Sequence, residues 1–193
     1  MRLFLAAYPP EDVCDDLAQR LQGLQVTAAA QRGVNTRLAR RETWHVTLAF
    51  LGEVADERAP QVSEALQRAA DGWRATGSGA PRLRLAGGGK FGRGRFTVLW
   101  VGVDGDVEAL QGLSRQVRKE LKRDRLPYDD RPLKPHLTVA RPGDRVDAAA
   151  VAADREALAG YRGPLWPAET MVLVRSHLGP QPEYEHLTAW PLA

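Results

Sequence analysis

Apolar residues recur along this chain in two rhythms, and the order of the rhythms is written twice. In the first half, Arg2–Ala7 reads as a strand stopped by Pro9 and Pro10. Val13, Leu17, Leu21 and Leu24 then recur at three- and four-residue spacing and predict a helix over about Pro10–Gln25. Thr43–Leu51 alternates with period two and predicts a strand. Asp56–Ala75 carries Val62, Leu66, Ala69 and Trp73 on one stripe and predicts a helix capped by Asp56, and a strand follows at Arg82–Ala86. The second half repeats the order. Arg95–Val103 is a strand, and Asp106 opens a helix striped by Val107, Leu110, Leu113, Val117 and Leu121. Lys134–Ala140 is a strand, Asp147 opens a helix to about Ala159, and Thr170–Arg175 and Tyr184–Trp190 close the chain as strands.

The repetition reaches individual residues. His45-Val46-Thr47 returns as His136-Leu137-Thr138, 91 residues later, and the helix starts Asp56 and Asp147 share the same offset. Internal duplication explains this better than chance. The expected fold is α+β: two lobes related by a pseudo-twofold axis, each of mostly antiparallel sheet with helices outside, and one central cleft carrying both motifs. The expected organisation is a single bilobal domain over 1–193, with lobes of about 1–88 and 95–193 and room for strands to exchange between them. The glycine-rich segment Gly87–Arg95 reads as the hinge or hairpin joining the lobes. It is not a P-loop, because no Ser or Thr follows Lys90 and the glycine spacing differs. Lys90, Arg93 and Arg95 in it are placed to brush a nucleic-acid backbone.

On a strand, alternate side chains share a face, so His45 and Thr47 point one way and Val46 and Leu48 the other. The same holds for His136 and Thr138 against Leu137 and Val139. Imidazole titrates near pH 6.5, so one ring can be the base while the other is the acid, which is what opening a phosphodiester requires. The threonine hydroxyls suit the non-bridging phosphate oxygens, with Lys134 and Arg141 as neighbouring cations.

Composition narrows the classes. The chain has 193 residues, 44% hydrophobic and 26% charged, which is ordinary for a soluble globular protein. Cys14 is the single cysteine, so no intramolecular disulfide or cysteine metal cage exists, and a reducing cytoplasm is the expected setting. No apolar run has the length of a signal-peptide core or a membrane span. The net charge is +3, and 23 of the 27 basic residues are arginine, which fits an anionic partner or a plain compositional bias equally well. His177 and His186 show no metal-ligand spacing and read as structural or surface residues, Asp129-Asp130 as solvated loop, and Cys14 as half-buried helix. No metal site and no cofactor is proposed.

Two His-x-Thr motifs, one per lobe, resemble the 2H phosphoesterase superfamily, and the chain at nearly full length resembles its RNA 2′,3′-cyclic phosphodiesterase (2′-5′ RNA ligase-like) branch. The similarity runs through Met1–Ala6, Trp44–Gly52, Lys134–Arg141 and Arg175–Leu178, with Tyr184 and Leu187 beyond. It implies metal-independent hydrolysis of RNA 2′,3′-cyclic phosphate ends to 2′-phosphomonoesters, with reversible 2′-5′ ligation as a further capacity. By this resemblance His45 protonates the leaving 3′-oxygen, His136 activates water, Thr47 and Thr138 hold the phosphate beside Arg141, and Phe50 stacks on the terminal base. The sequence does not itself order the two histidine roles. The expected partner is an RNA with a cyclic phosphate terminus, met by a monomer. A receptor without turnover, or a phosphodiesterase for another small cyclic phosphate, stays open. Phe50 and Arg141 each follow their histidine by five positions, so a regular strand would turn them away from the cleft. The strands are therefore expected to end or bulge near Ala49 and Ala140.

Overall fold

A strand whose two faces are both needed must be covered on one side and left open to a cleft on the other. Strand β1 (Arg2–Ala7) shows this division, with Leu3, Leu5 and Ala7 in the main core and Phe4 and Ala6 in a smaller apolar cluster on the opposite face. In the computed structural model, which describes residues 1–177, 179 and 182–193, β1 sits inside an antiparallel sheet. Its neighbours are β2 (Val46–Glu53), β7 (Thr170–His177) and β8 (Glu183–Pro191), in the order β2-β1-β7-β8. A second four-stranded antiparallel sheet orders β5-β4-β3-β6, from β3 (Arg82–Phe91), β4 (Val98–Gly105), β5 (His136–Ala140) and β6 (Trp166–Pro167). The architecture is α+β. Each sheet has a motif strand at its edge and the opening strand of the corresponding half beside it.

Five helices complete the fold: α1 (Glu11–Leu21), α2 (Gln25–Gln31), α3 (Ala59–Ala75), α4 (Val107–Arg123) and α5 (Ala148–Ala159). The apolar stripes behave as their spacing predicts. Val13, Leu17 and Leu21 of α1, Val62, Leu66, Ala69 and Trp73 of α3, and Leu110, Leu113, Val117 and Leu121 of α4 are buried, while Val107 is half-buried. The helix after each opening strand packs beside the other half's second helix. Helix α4 lies on α3 and β2, where the buried Ser114 hydroxyl donates to the Leu48 carbonyl at 2.8 Å. Helices α1 and α2 lie beside α5, through Tyr161 Oη donating to Asp16 at 2.7 Å and the Arg20 guanidinium donating to the Ala157 carbonyl. The halves are interlocked.

Several local expectations need correcting. Gly87–Phe91 is part of β3, and residues 92–97 turn the β3–β4 hairpin, so the glycine-rich segment lies within the second sheet rather than between lobes. The first helix stops at Leu21, and a second short helix follows Gln22-Gly23. Leu24, at the head of that helix, is still buried. Asp56 does not cap α3; its carboxylate accepts from the Met1 amino group at 3.1 Å. Asp106 does open α4, its carboxylate accepting from the Arg82 backbone N–H at 2.9 Å, and Asp147 caps α5 through the Ala150 N–H at 2.7 Å. Cys14 is buried rather than half-buried. Leu178 and Pro180 lie outside the described residues. Among the described residues no helix is long and apolar enough to cross a membrane.

Leu24, at the N-cap of α2, has no side-chain oxygen to satisfy the first amides. Asp154 of α5, only 1% exposed, takes that part, accepting from the N–H groups of Gln25 at 2.6 Å and Val26 at 3.0 Å. Removing it leaves two amides unpaired in a buried place. Asp154→Ala is expected to lower stability by about 1–3 kcal/mol, and Asp154→Asn by less, in urea unfolding followed by circular dichroism; unchanged midpoints would refute the cap.

Candidate active site

The site begins with an irregularity shared by the two edge strands. Along β2, Ala6 of β1 pairs with Thr47 and Leu5 with Ala49, so Leu48 is the extra residue of a bulge. Along β5, Trp100 of β4 pairs with Thr138 and Leu99 with Ala140, so Val139 is the extra residue there. Both bulges stand three positions after the motif histidine. An inserted residue reverses the facing of every later position on the strand. Thr47 lies opposite Ala6 and Phe50 opposite Phe4, so both belong to the face of the small apolar cluster. Leu48, Ala49, Val139 and Ala140 stay buried in the core. Strand β5 ends at Ala140, and Arg141 leaves it on a hydrogen bond from its N–H to the Arg37 carbonyl at 3.1 Å, with its side chain exposed.

The two imidazoles are held alike. His45 Nδ1 lies 2.7 Å from the Thr43 carbonyl oxygen, and His136 Nδ1 lies 2.7 Å from that of Lys134. A carbonyl only accepts, so Nδ1 carries the proton in each ring and Nε2 is the open nitrogen. Burial is the first cause depressing both pKa values, bringing His45 down to about 4 and His136 below its ordinary value. The carbonyls of Thr43 and Lys134 oppose this, while the charge of Arg141 adds to it at both rings. His136 itself is among the charges felt at His45, and so is His186. Both rings are therefore neutral bases at pH 7 in the free protein.

Each ring has an aromatic wall. The His45 ring lies 4.8 Å from Phe4, 5.3 Å from Tyr184 and 5.9 Å from Tyr8 by ring centroids. The His136 ring lies 4.9 Å from Phe91 and 5.9 Å from Trp100. Trp100 can lie over β3 because its cross-strand partner is Gly89, where any Cβ would run into the indole. The Tyr8 hydroxyl and the Trp100 Nε1–H are both buried with no partner among the described residues, one donor on each wall. Burial and the neighbouring Tyr184 push the Tyr8 phenol upward, so it stays protonated.

Beside the His136 wall opens a cavity of about 570 Å³. Thr47 and Phe50 from β2, Phe91 from β3, and Lys134 and His136 from the second motif line it, with Ser114 and Arg118 of α4 beyond. The structure thus brings Thr47, Phe50, Lys134 and His136 to one space. His45 and Arg141 are electrostatically coupled to that space, and Thr138 pairs with Trp100 at its wall. Lys134 is more than a cation: its ammonium lies 4.9 Å from the Trp100 ring centroid and 5.2 Å from that of Phe91.

Sequence reasoning missed the walls. Phe4, Phe91, Trp100 and Tyr184 sit on strands whose open face shows only once the pairing partners are known, and Tyr8 directly follows β1. Tyr8 was legible as the alternate position after Phe4 and Ala6, and Tyr184 by the family resemblance, but neither as a wall of His45. His186 is exposed but faces this cleft, 4.5 Å from the Tyr8 ring, while His177 pairs at the surface with Glu185 at 3.0 Å. Asp129 is no free loop carboxylate. Arg131 holds it down to about 2, its own N–H donates to the Phe50 carbonyl at 2.7 Å, and it borders the cavity.

Comparison with known proteins places this geometry. The family model described as the 2′-5′ RNA ligase superfamily matches residues 9–180. The RNA 2′,3′-cyclic phosphodiesterase of Thermus thermophilus is 33% identical over 202 residues, spanning 100% of this chain and 90% of that one. The Thermotoga maritima protein of the same name is 28% identical over 142 residues, spanning 73% and 70%. A solved structure of a Thermus thermophilus protein superposes with a TM-score of 0.72 at 28% identity, covering 100% and 98% of the two chains. E. coli LigT in complex with NADP+ superposes at 0.70 over 99% and 97%; at 23% identity it speaks for the fold. Matched over most of its length and built on the same fold, the chain is an enzyme that belongs to the 2′-5′ RNA ligase superfamily.

Proposed function

We propose that the protein hydrolyses the 2′,3′-cyclic phosphate at an RNA end, leaving a 2′-phosphomonoester and a free 3′-hydroxyl. The observation that carries this is the matched pair of imidazoles. Each is held through Nδ1 by a carbonyl two residues upstream, and each has a threonine two residues downstream; His136 opens β5 and lines the cavity, and His45 immediately precedes β2, whose Thr47 lines it too. Relatives named for the same activity support it.

In this reading His136 Nε2 takes a proton from water as the water oxygen bonds to phosphorus. The phosphorus–O3′ bond breaks, and His45 gives its proton to the departing oxygen. Thr47 and Thr138 donate to the non-bridging oxygens where charge accumulates, with Arg141 beside them. Phe50 stacks on the terminal base. Burial disfavours the charged form most at His45, so the acid there is made by the substrate: the phosphate monoanion compensates the imidazolium. Both proton transfers are supplied by side chains. With the 5′-hydroxyl of a second RNA in place of water, the same transfers would form a 2′-5′ linkage.

His45→Ala and His136→Ala are each expected to lower kcat/KM on a 2′,3′-cyclic nucleotide by about 10²–10⁴-fold, with activity unaffected by EDTA. Near-wild-type turnover from either variant would remove the mechanism. Tight binding of a 2′-phosphate without turnover of any cyclic phosphate would make the protein a receptor.

The pH profile is set by the sign of the shifts. Both folded pKa values lie below the ordinary 6.5, so the bell of kcat/KM, which reports the free enzyme, is expected to centre below pH 6.5. The alkaline limb of kcat is expected at higher pH, because bound phosphate stabilises the imidazolium; a kcat/KM bell centred well above 7 would contradict the assignment. Independently, ¹⁵N NMR of the imidazoles at pH 7 should show protonated Nδ1 and bare Nε2 at both positions, and the reverse tautomer at either would break the symmetry of the pair.

A further inference from the structure

The β3–β4 hairpin ends in a tip with no part in the His45/His136 chemistry, yet it carries the most exposed large apolar side chain described. Phe96 is 66% exposed, in a turn that also holds Arg93 and Arg95. The Arg95 guanidinium lies over the Phe96 ring at 4.7 Å from its centroid. Among the described residues neither Arg93 nor Arg95 pairs with a carboxylate, while Lys90 is folded back onto the Gly92 carbonyl at 3.2 Å. Asp144 and Asp147 border the hollow that Lys90 and Arg93 line, and Asp147 is engaged in capping α5. The tip is built rather than loose. Gly92, at φ +67°, brings its backbone so close to the Phe96 carbonyl that a side chain there would collide.

The tip is also joined to the active site. Its base is Phe91 and Val98, and Phe91 is the ring against His136. Its flank rests on the loop after Arg141, where a Cβ on Gly143 would stand 3.1 Å from the Arg95 carbonyl oxygen. Trp100, Phe91 and Phe96 thus run outward along one hairpin, with Lys134 at the inner pair and Arg93 and Arg95 at the tip. Phe96 and Trp100 are four positions apart along the chain, at most about 13 Å. Aromatic faces spaced along a line of unpaired arginines are how single-stranded nucleic acid is held without reading its sequence.

We infer that the hairpin tip Arg93–Phe96 is a second contact for the RNA strand, upstream of the terminal nucleotide, on which a base stacks against Phe96 while Arg93 and Arg95 meet phosphates. The inference rests on the RNA-end reading and deepens it: the protein prefers an oligoribonucleotide end over a cyclic mononucleotide, and the preference resides in the tip.

The test compares wild type with Phe96→Ala and with the double variant Arg93→Ala/Arg95→Ala. The substrates are a 2′,3′-cyclic mononucleotide and a single-stranded hexaribonucleotide ending in the same cyclic phosphate. All substituted side chains are exposed, so folding is spared. On the mononucleotide kcat and KM stay within about twofold, whereas on the hexamer KM rises at least about fivefold with Phe96→Ala. The arginine variant additionally flattens the dependence of log KM on log salt, by about 0.7 for each phosphate no longer neutralised. Phe96→Tyr restores the hexamer KM. A hexamer KM unmoved by both variants overturns the inference and leaves the activity intact, and the exposed ring then belongs to some other partner. If wild type turns over neither substrate, the RNA-end reading fails first. Fluorescence anisotropy with an uncleavable hexamer then decides the tip alone, weaker binding by the variants supporting it and equal binding overturning it.

Discussion

Two backbone carbonyls, those of Thr43 and Lys134, govern what this active site can do. Each takes the Nδ1 proton of the imidazole two residues downstream, fixing the tautomer and the ring plane together. A free histidine could offer either nitrogen; these can offer only Nε2. Because the same lock is made in both copies, the cleft has two bare nitrogens of one kind. Burial lowers the pKa of both rings. In the proposed reaction, protonation at Nε2 is therefore tied to the presence of an anion.

The lock would be idle without the two bulges. The edge strands must feed the core with Val46, Leu48, Leu137 and Val139 and still present histidine, threonine and the fifth residue after histidine to the opposite side. Strict alternation cannot serve both over that length. An extra residue at Leu48 and another at Val139 resolve the conflict where edge strands tolerate it, since only one neighbour's ladder is disturbed; β2 has a second extra residue, Leu51, beyond Phe50. Motif and bulge recur together, so Phe50 and Arg141 hold the same offset from their histidines with unlike chemistry.

The helices and the motif strands were legible because their warrants are local. Stripes at Val62–Trp73 and Leu110–Leu121 declare a helix whatever surrounds them, and the 91-residue offset of His45 and His136 declares a repeat. The tension at Phe50 was legible too, as a clash between strand parity and duplication. The hidden part was long-range. The aromatic walls depend on which strand pairs with which, and nothing near Trp100 in sequence announces that Gly89 will lie opposite it. The glycine-rich run read as a joint because glycine loosens a chain. Its first part is instead strand, where one of its glycines makes space for an indole, and the rest is the turn of the β3–β4 hairpin. Asp56 was read as a cap from position alone, and a tertiary partner, the Met1 amino group, claimed its carboxylate.

The sheets differ in how the chain supplies them. All four strands of the second lie between Arg82 and Pro167, whereas the first joins β1 and β2 to β7 and β8, which come after every strand of the second. On a translating ribosome the second sheet can close while β7 is still unmade. His136 then has its wall early, while β1 and β2, and His45 with them, wait for β7 and β8 to emerge. The proposed active site is therefore completed late in synthesis, and a chain released short of Thr170 carries both histidines but only one finished half of their surroundings.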